Sequence, residues 1–135
     1  SRGVLNAKKR GEIVKRGIEE FRIRCFGPDH ECNNLSGGNQ QKVVLAKWIY
    51  TDPKILILDE PTRGIDVGAK YEIYQLINEL ASNGKGIIVV SSEMAELLGI
   101  CDRIMVMSNY KVAGILDNNE NTDQETIMKL ASKYI

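Results

Sequence analysis

The sequence predicts an α/β fold with a mainly parallel sheet, and two apolar runs carry most of that prediction. Residues 55–58 are all large and apolar, without the alternation of a half-exposed strand and in too short a run for a typical helix. Residues 86–90 form a second run that is rich in β-branched side chains. Strands buried on both faces are typical of parallel sheets flanked by helices. We therefore expect two buried strands that end at the same edge of a sheet.

Helical patterns alternate with these strands along the chain. Apolar residues recur at helical spacing, and capping or breaking residues such as Ser36, Asp66 and the Asn83-Gly84 pair mark where helices begin and end. A turn at Asn109 and Tyr110 separates two further short strands. The predicted helices are residues 7–24, 37–50, 67–82, 94–98 and a last one opened by a Thr122–Glu125 capping box, and the later strands are residues 104–107 and 112–116.

Composition sets the size and the class of the molecule. A chain of 135 residues with 43% hydrophobic and 27% charged residues can bury one core, so we expect one domain or part of one. No apolar run approaches the roughly 18 to 20 residues that cross a bilayer, so a membrane role must come through a partner. The formal net charge is zero, and the basic N-terminal segment is interpreted as the solvated face of an amphipathic helix. Nucleic acid is therefore not an expected partner.

The cysteines favour reduced thiols over a disulfide framework. Three cysteines, Cys25, Cys32 and Cys101, are an odd number without framework spacing, which is typical of the cytosol. Cys25, His30 and Cys32 are too few for a complete metal site, since a fourth ligand is not apparent.

Two acids follow the first apolar run directly. Asp59 and Glu60 fall at the carboxyl end of the predicted strand, where parallel sheets bind their ligands. Adjacent strand positions point in opposite directions, so one carboxylate can hold Mg²⁺ while the other orients an attacking water. The alternative interpretation is that the two acids simply begin a solvent-exposed loop.

A glycine pair opens the helix that precedes this strand. Ser36 is the expected N-cap, and Gly37 and Gly38 expose backbone N–H groups at the helix start. The helix dipole and the free N–H donors favour an anion such as a phosphate there. An ordinary capped helix is the alternative interpretation.

Together, the two stretches indicate a function far more specifically than either stretch does alone. Leu-Ser-Gly-Gly-Asn-Gln-Gln-Lys at residues 35–42, followed one helix later by an apolar run that ends Asp-Glu-Pro-Thr, resembles the signature and Walker B motifs of ATP-binding cassette (ABC) ATPases. The Asn-Gln-Gln-Lys form and the Arg-Gly-Ile-Asp-Val-Gly at residues 63–68 resemble the ATPase subunits of bacterial importers of ribose, galactosides and xylose. The resemblance covers nearly the whole chain.

The resemblance implies a role for each matching residue. Asp59 would bind Mg²⁺, Glu60 would polarise the attacking water, and Ser92 would serve the same ATP site. Asp66 would belong to the loop that crosses the interface between two cassettes. The signature residues would complete the ATP site of the partner cassette, and they are Ser36, Gly37, Gly38, Asn39 and Gln40.

Two departures from the family pattern set limits on these roles. Ser92 stands where ABC ATPases usually have a histidine that contacts the terminal phosphate, and serine is shorter and uncharged at neutral pH. The Gly-x-x-x-x-Gly-Lys-[Ser/Thr] loop that wraps the phosphates does not occur in the sequence. We therefore expect the C-terminal part of a second nucleotide-binding domain, inactive by itself. Residues 1–51 would belong to the helical subdomain and residues 52–135 to the RecA-like, P-loop NTPase core.

The resemblance also implies partners and a location. A second cassette and a transmembrane sugar permease would be the partners, at the cytoplasmic side of the cell membrane, and sheet edges left open by absent strands would favour self-association. Two other functions stay open. One is a DNA-repair or chromosome-type ABC ATPase, although those proteins attach long coiled coils and no sustained heptads occur here. The other is a regulatory module that binds nucleotide without turnover.

Overall fold

The computed structural model describes residues 7–135 as two compact units. One unit contains the described residues up to Leu56 together with Thr62–Gly86, and the other contains Ile57–Pro61 and Ile87–Ile135. The helices are α1 (Ala7–Glu20), α2 (Gly37–Ile49), α3 (Val67–Ser82), α4 (Met94–Ile100) and α5 (Gln124–Ala131), with a 3₁₀ turn at Cys32–Asn34. The strands are β1 (Ile55–Asp59), β2 (Gly86–Val90), β3 (Arg103–Ser108) and β4 (Lys111–Asp117). The predicted α/β class is confirmed, and the division at residues 51 and 52 stays a prediction.

Helices α1, α2 and α3 build the core of the first unit. Helix α2 packs against α3, and Leu45, Ile73 and Ile77 are buried. Gly17 lets α1 approach the ring of Tyr50, because a Cβ there would lie 3.1 Å from Tyr50 Cε2. Phe21 packs edge-on against the same ring, with 5.9 Å between the centroids. This packing holds the end of α1 against the residue that follows the last turn of α2.

Helix α1 ends four residues earlier than its sequence predicts. Arg22 has a φ of 50°, and the N–H of Ile23 donates to the carbonyl of Ile18 at 2.9 Å. This left-handed residue with its 6→1 hydrogen bond closes a helix in the way that a C-terminal glycine usually does. Because arginine occupies the position, the sequence carries no stop signal before Gly27.

Strands β1 and β2 are parallel neighbours. The N–H of Gly86 donates to Lys54 O at 2.9 Å, and the N–H of Glu60 donates to Val90 O at 2.8 Å, so both strands run in the same direction. Burial on both faces was the wrong expectation for both strands. In β2, Ile88 and Val90 are each 51% exposed. In β1, Leu56 and Leu58 are buried whereas Ile55 and Ile57 are 63% and 66% exposed. Within residues 7–135, no element covers the face that carries these two isoleucines.

An antiparallel hairpin and two helices form the core of the second unit. Strands β3 and β4 pair from Arg103 opposite Asp117 to Ser108 opposite Lys111, with a bulge at Ala113. Ile104, Val106 and Ile127 are buried at the centre, where α4 and α5 supply further apolar side chains. None of the helices in residues 7–135 is long and apolar enough to cross a membrane.

The last helix is capped by a residue that the sequence analysis did not choose. Asp123 is the N-cap of α5, and its Oδ1 accepts hydrogen bonds from the N–H and the hydroxyl of Thr126 at 2.8 and 2.7 Å. These hydrogen bonds hold the pKa of Asp123 below its usual value. Thr122 instead donates its hydroxyl to Asp117 O at 2.8 Å. The predicted Thr122–Glu125 capping box was therefore wrong.

Candidate functional site

Ser36 occupies the N-cap position of α2, but its hydroxyl does not cap the backbone. Its φ and ψ are −61° and 155°, and its carbonyl accepts the first intrahelical hydrogen bond, from the N–H of Gln40 at 2.9 Å. Ser36 Oγ accepts from Asn39 Nδ2 at 2.8 Å. The N–H groups of the first helical turn have no carbonyl partner within an α-helix. At Gly37 and Gly38 they are therefore suited to an anion.

The two glycines have different surroundings. A Cβ built on Gly37 would meet nothing within 4 Å, so a ligand can approach the backbone there. A Cβ on Gly38 would lie 2.5 Å from the Cβ of Ala69, closer than real Cβ atoms come. Gly38 is therefore required by the packing of α2 on α3, a role that the sequence analysis did not assign to it.

Asn39 and Gln40 tie the start of α2 to the chain that precedes it. Asn39 Oδ1 accepts the backbone N–H of Arg24 at 2.9 Å, and Gln40 Nε2 donates to the carbonyl of Leu35 at 2.9 Å. The amide side chains thus fix the loop around the helix start. The residues predicted as the signature motif form one local structure.

Glu60 is held in place by the strand beside its own. Its Oε1 accepts the backbone N–H of Ser92 at 3.0 Å, just beyond the end of β2. Its φ of 46° is in the left-handed region, which costs a residue other than glycine on the order of 1 kcal/mol. The structure thus brings together Glu60 and Ser92, which the sequence analysis assigned to the same sheet edge.

The contact from Ser92 is made by its backbone and not by its hydroxyl. Ser91 Oγ accepts the N–H of Glu93 at 3.0 Å, which closes a tight turn around Ser92. That turn directs the N–H of Ser92 at the carboxylate of Glu60. Any non-proline residue at this position could supply the same donor. The sequence offered no signal for this, because a backbone contact leaves no mark on residue type.

Asp59 and Asp66 differ in what their carboxylates contact. Asp59 ends β1 and is exposed. Asp66 is the N-cap of α3, and its Oδ1 accepts the N–H of Ala69 at 3.0 Å, as its capping pattern predicts. Within residues 7–135, no cluster of three His, Cys, Asp or Glu side chains could hold a metal by itself. A single exposed carboxylate still suits Mg²⁺, which usually takes its other ligands from phosphates and water.

Two residues that the sequence analysis missed lie between α2 and α3. The side chain of Lys42 is 1% exposed, and its Nζ pairs with Glu72 Oε2. Lys42 precedes the apolar residues of a helix with one buried face, and a lysine at such a position was the signal available in the sequence.

Elsewhere in the chain, Cys25, Cys32 and Cys101 are free cysteines.

Comparisons with known proteins agree with the motifs. The family model described as ABC transporter matches residues 7–63. The galactose/methyl galactoside import ATP-binding protein MglA of Treponema pallidum is 57% identical over 98% of this chain and 27% of its own length. The protein of the same name from Pasteurella multocida is 66% identical over 98% of this chain and 26% of its own length.

Solved structures show the same fold. A dimeric ATP-binding cassette in a post-hydrolysis state with ADP and Pi has a TM-score of 0.74 at 25% identity, over 88% of this chain and 51% of its own length. A nucleotide-free cassette from an ABC transporter has a TM-score of 0.81 at 20% identity, over 100% of this chain and 53% of its own length.

The matches also show how much of its relatives' length the chain covers. The chain spans about a quarter of the length of the curated relatives that it matches. The matched part includes the glycine-started helix α2, the strand β1 and the acids that follow it. The ABC transporter family model therefore matches the segment that contains the predicted signature and Walker B motifs, and the import ATP-binding proteins resemble nearly the whole chain.

Proposed function

We propose that the chain is part of an ABC cassette that hydrolyses ATP to drive the import of a sugar through a membrane permease. The observation that carries the proposal is the pairing of Glu60 with the N–H of Ser92, because it holds a carboxylate at the carboxyl end of β1 beside the exposed Asp59. Relatives 55% to 70% identical are named for galactose and methyl galactoside import, which supports a sugar as the cargo.

The residues of the second unit would carry the chemistry. Glu60 accepts a hydrogen bond on one carboxylate oxygen, so the other oxygen is available to orient water for attack on the terminal phosphate. Asp59 would hold the Mg²⁺, which would neutralise phosphate charge. Ser92 would act through its backbone N–H by fixing Glu60. The fixed orientation of Glu60 favours an ATPase over a regulatory module that only binds nucleotide.

The signature residues would act on a different ATP molecule. The N-terminal N–H groups of α2 at Gly37 and Gly38 would contact the terminal phosphate of an ATP held mainly by a second cassette. Ser36, Asn39 and Gln40 would hold that helix start in shape, and Asp66 would lie at the interface between the cassettes. The partners would then be a second cassette and a transmembrane permease, at the cytoplasmic face of the membrane. The chain alone would hydrolyse ATP negligibly.

Gly37→Asp tests the phosphate role in the full-length protein. A carboxylate at the first position of a helix suits the helix dipole and meets open space, so folding should be preserved. The new charge should repel the phosphate and lower ATP turnover and sugar uptake by about tenfold or more. Gly37→Ala is the matched control and should keep most of the activity. Unchanged turnover in Gly37→Asp would contradict the proposed role of α2.

A further inference from the structure

Helices α2 and α3 are in close contact at their first turns. Gly38 lies in the first turn of α2 and Ala69 in the first turn of α3, and the 2.5 Å between Ala69 Cβ and a Cβ built on Gly38 leaves no room for a side chain. Ile65 Cγ2 would lie 3.5 Å from the same Cβ. The two helix starts are therefore packed directly on each other.

An ion pair lies one helical turn further along the same contact. Lys42 follows Gly38 by four positions and Glu72 follows Ala69 by three, so each lies on the face that carries the close contact. Lys42 Nζ donates to Glu72 Oε2 and to the carbonyl of Arg22, the latter at 3.1 Å. The lysine is almost wholly buried, whereas the side chain of Glu72 is 31% exposed.

The same network reaches the signature residues. Arg24 Nη2 donates to Glu72 Oε1 at 3.0 Å, and the backbone N–H of Arg24 donates to Asn39 Oδ1 at 2.9 Å. Glu72 is thus connected to the first turn of α2 on one side and through Lys42 to its second turn. Lys42 and the nearby arginines hold the pKa of Glu72 below its ordinary value, so the carboxylate is charged at neutral pH.

We propose that Lys42 and Glu72 are positioning residues that hold the starts of α2 and α3 as one rigid pair. The proposal rests on the proposed function, since it gives Gly37, Gly38 and Asp66 a fixed arrangement at the nucleotide. Buried ion pairs often add little stability compared with apolar residues of similar volume, although breaking one by removing a single partner is strongly destabilising. In this proposal, the directional hydrogen bonds of the pair set the orientation of the two helix starts.

Two variants of the full-length protein separate positioning from stability. Glu72→Gln keeps the shape and removes the charge, and the double variant Lys42→Met with Glu72→Leu replaces the pair by apolar side chains, for which stability is often retained. Glu79→Gln is the control, since Glu79 is an exposed carboxylate on the same helix. Measurements are the melting temperature, the affinity for a slowly hydrolysed ATP analogue, and kcat and KM for MgATP.

We expect the double variant to melt near the unmodified protein and Glu72→Gln to melt lower, because its buried Lys42 loses the charged partner. Both variants should bind the analogue as tightly as the unmodified protein, while kcat falls roughly 10- to 100-fold, as misplaced catalytic groups cause. Glu79→Gln should retain the full kcat. A normal kcat in the stable double variant would overturn the positioning role, and so would loss of folding in both variants, because the pair would then act on stability. Failure of the unmodified protein to hydrolyse ATP would instead overturn the proposed function.

Discussion

At the scale of single residues, the backbone around Glu60 and Ser92 determines the orientation of the carboxylate that we propose as the catalytic base. Glu60 adopts a left-handed φ and receives the N–H of Ser92, while Ser91 closes the turn that presents that N–H. A hydroxyl, a methyl or an imidazole at position 92 would leave this donor in the same place. Serine at position 92, where the resembled ABC ATPases usually have a histidine, therefore still supplies the backbone N–H that orients Glu60.

Substitutions at these two positions should have very different effects on turnover in the full-length protein. Glu60→Gln removes the proposed base and should lower kcat by on the order of 10²-fold or more. Ser92→Ala keeps the backbone donor and should leave kcat close to that of the unmodified protein, which steady-state ATPase measurements would check. A collapse of activity in Ser92→Ala would show that the hydroxyl itself contacts the phosphate.

At the scale of secondary structure elements, the two neighbouring glycines in the first turn of α2 have different surroundings and therefore different roles. Gly37 faces open space and Gly38 faces α3. A motif with two glycines gives no indication of which one is needed for packing, because both conformational freedom and small size select the same residue. The helix itself and its Ser36 start were predictable, since they depend on local signals.

The packing role of Gly38 predicts a difference in stability between two alanine variants. Gly38→Ala should lower the free energy of unfolding by about 1–3 kcal/mol, because the added methyl group overpacks the contact with Ala69. Gly37→Ala should be neutral or slightly stabilising, since alanine is the better helix former. Urea unfolding followed by circular dichroism would compare them. Equal stability of the two variants would mean that α2 and α3 separate easily at this point.

At the scale of the whole molecule, the positions of the strands could be predicted from the sequence, but the burial of their side chains could not. All four strands lie within one or two residues of their predicted bounds, because β-branched runs between turn residues are strong local signals. Burial depends on what covers a strand, and residues 55–58 do not encode that. Roles that depend on a second cassette cannot be predicted from local sequence patterns either. They were therefore inferred from the resemblance of the motifs.

The exposed face of β1 and β2 predicts how the isolated chain behaves. Ile55, Ile57, Ile88 and Val90 are each at least half exposed, and exposed apolar side chains on neighbouring strands promote association. We expect the isolated chain to form concentration-dependent oligomers in sedimentation experiments. The double variant Ile57→Lys with Ile88→Lys should shift the population towards the monomer, whereas lysine at the already polar Asn119 should not. A monomer at all concentrations would contradict this prediction.

The hairpin between β3 and β4 has a practical consequence. Asn109 and Tyr110 both have positive φ, of 43° and 62°, and Tyr110 is 98% exposed at the tip. Exposed tips tolerate insertions and bulky additions better than the strands they join. After the natural cysteines have been replaced, Tyr110→Cys would provide a site for a fluorescent dye. Energy transfer between dyes at this position on two cassettes would report opening and closing of the proposed pair.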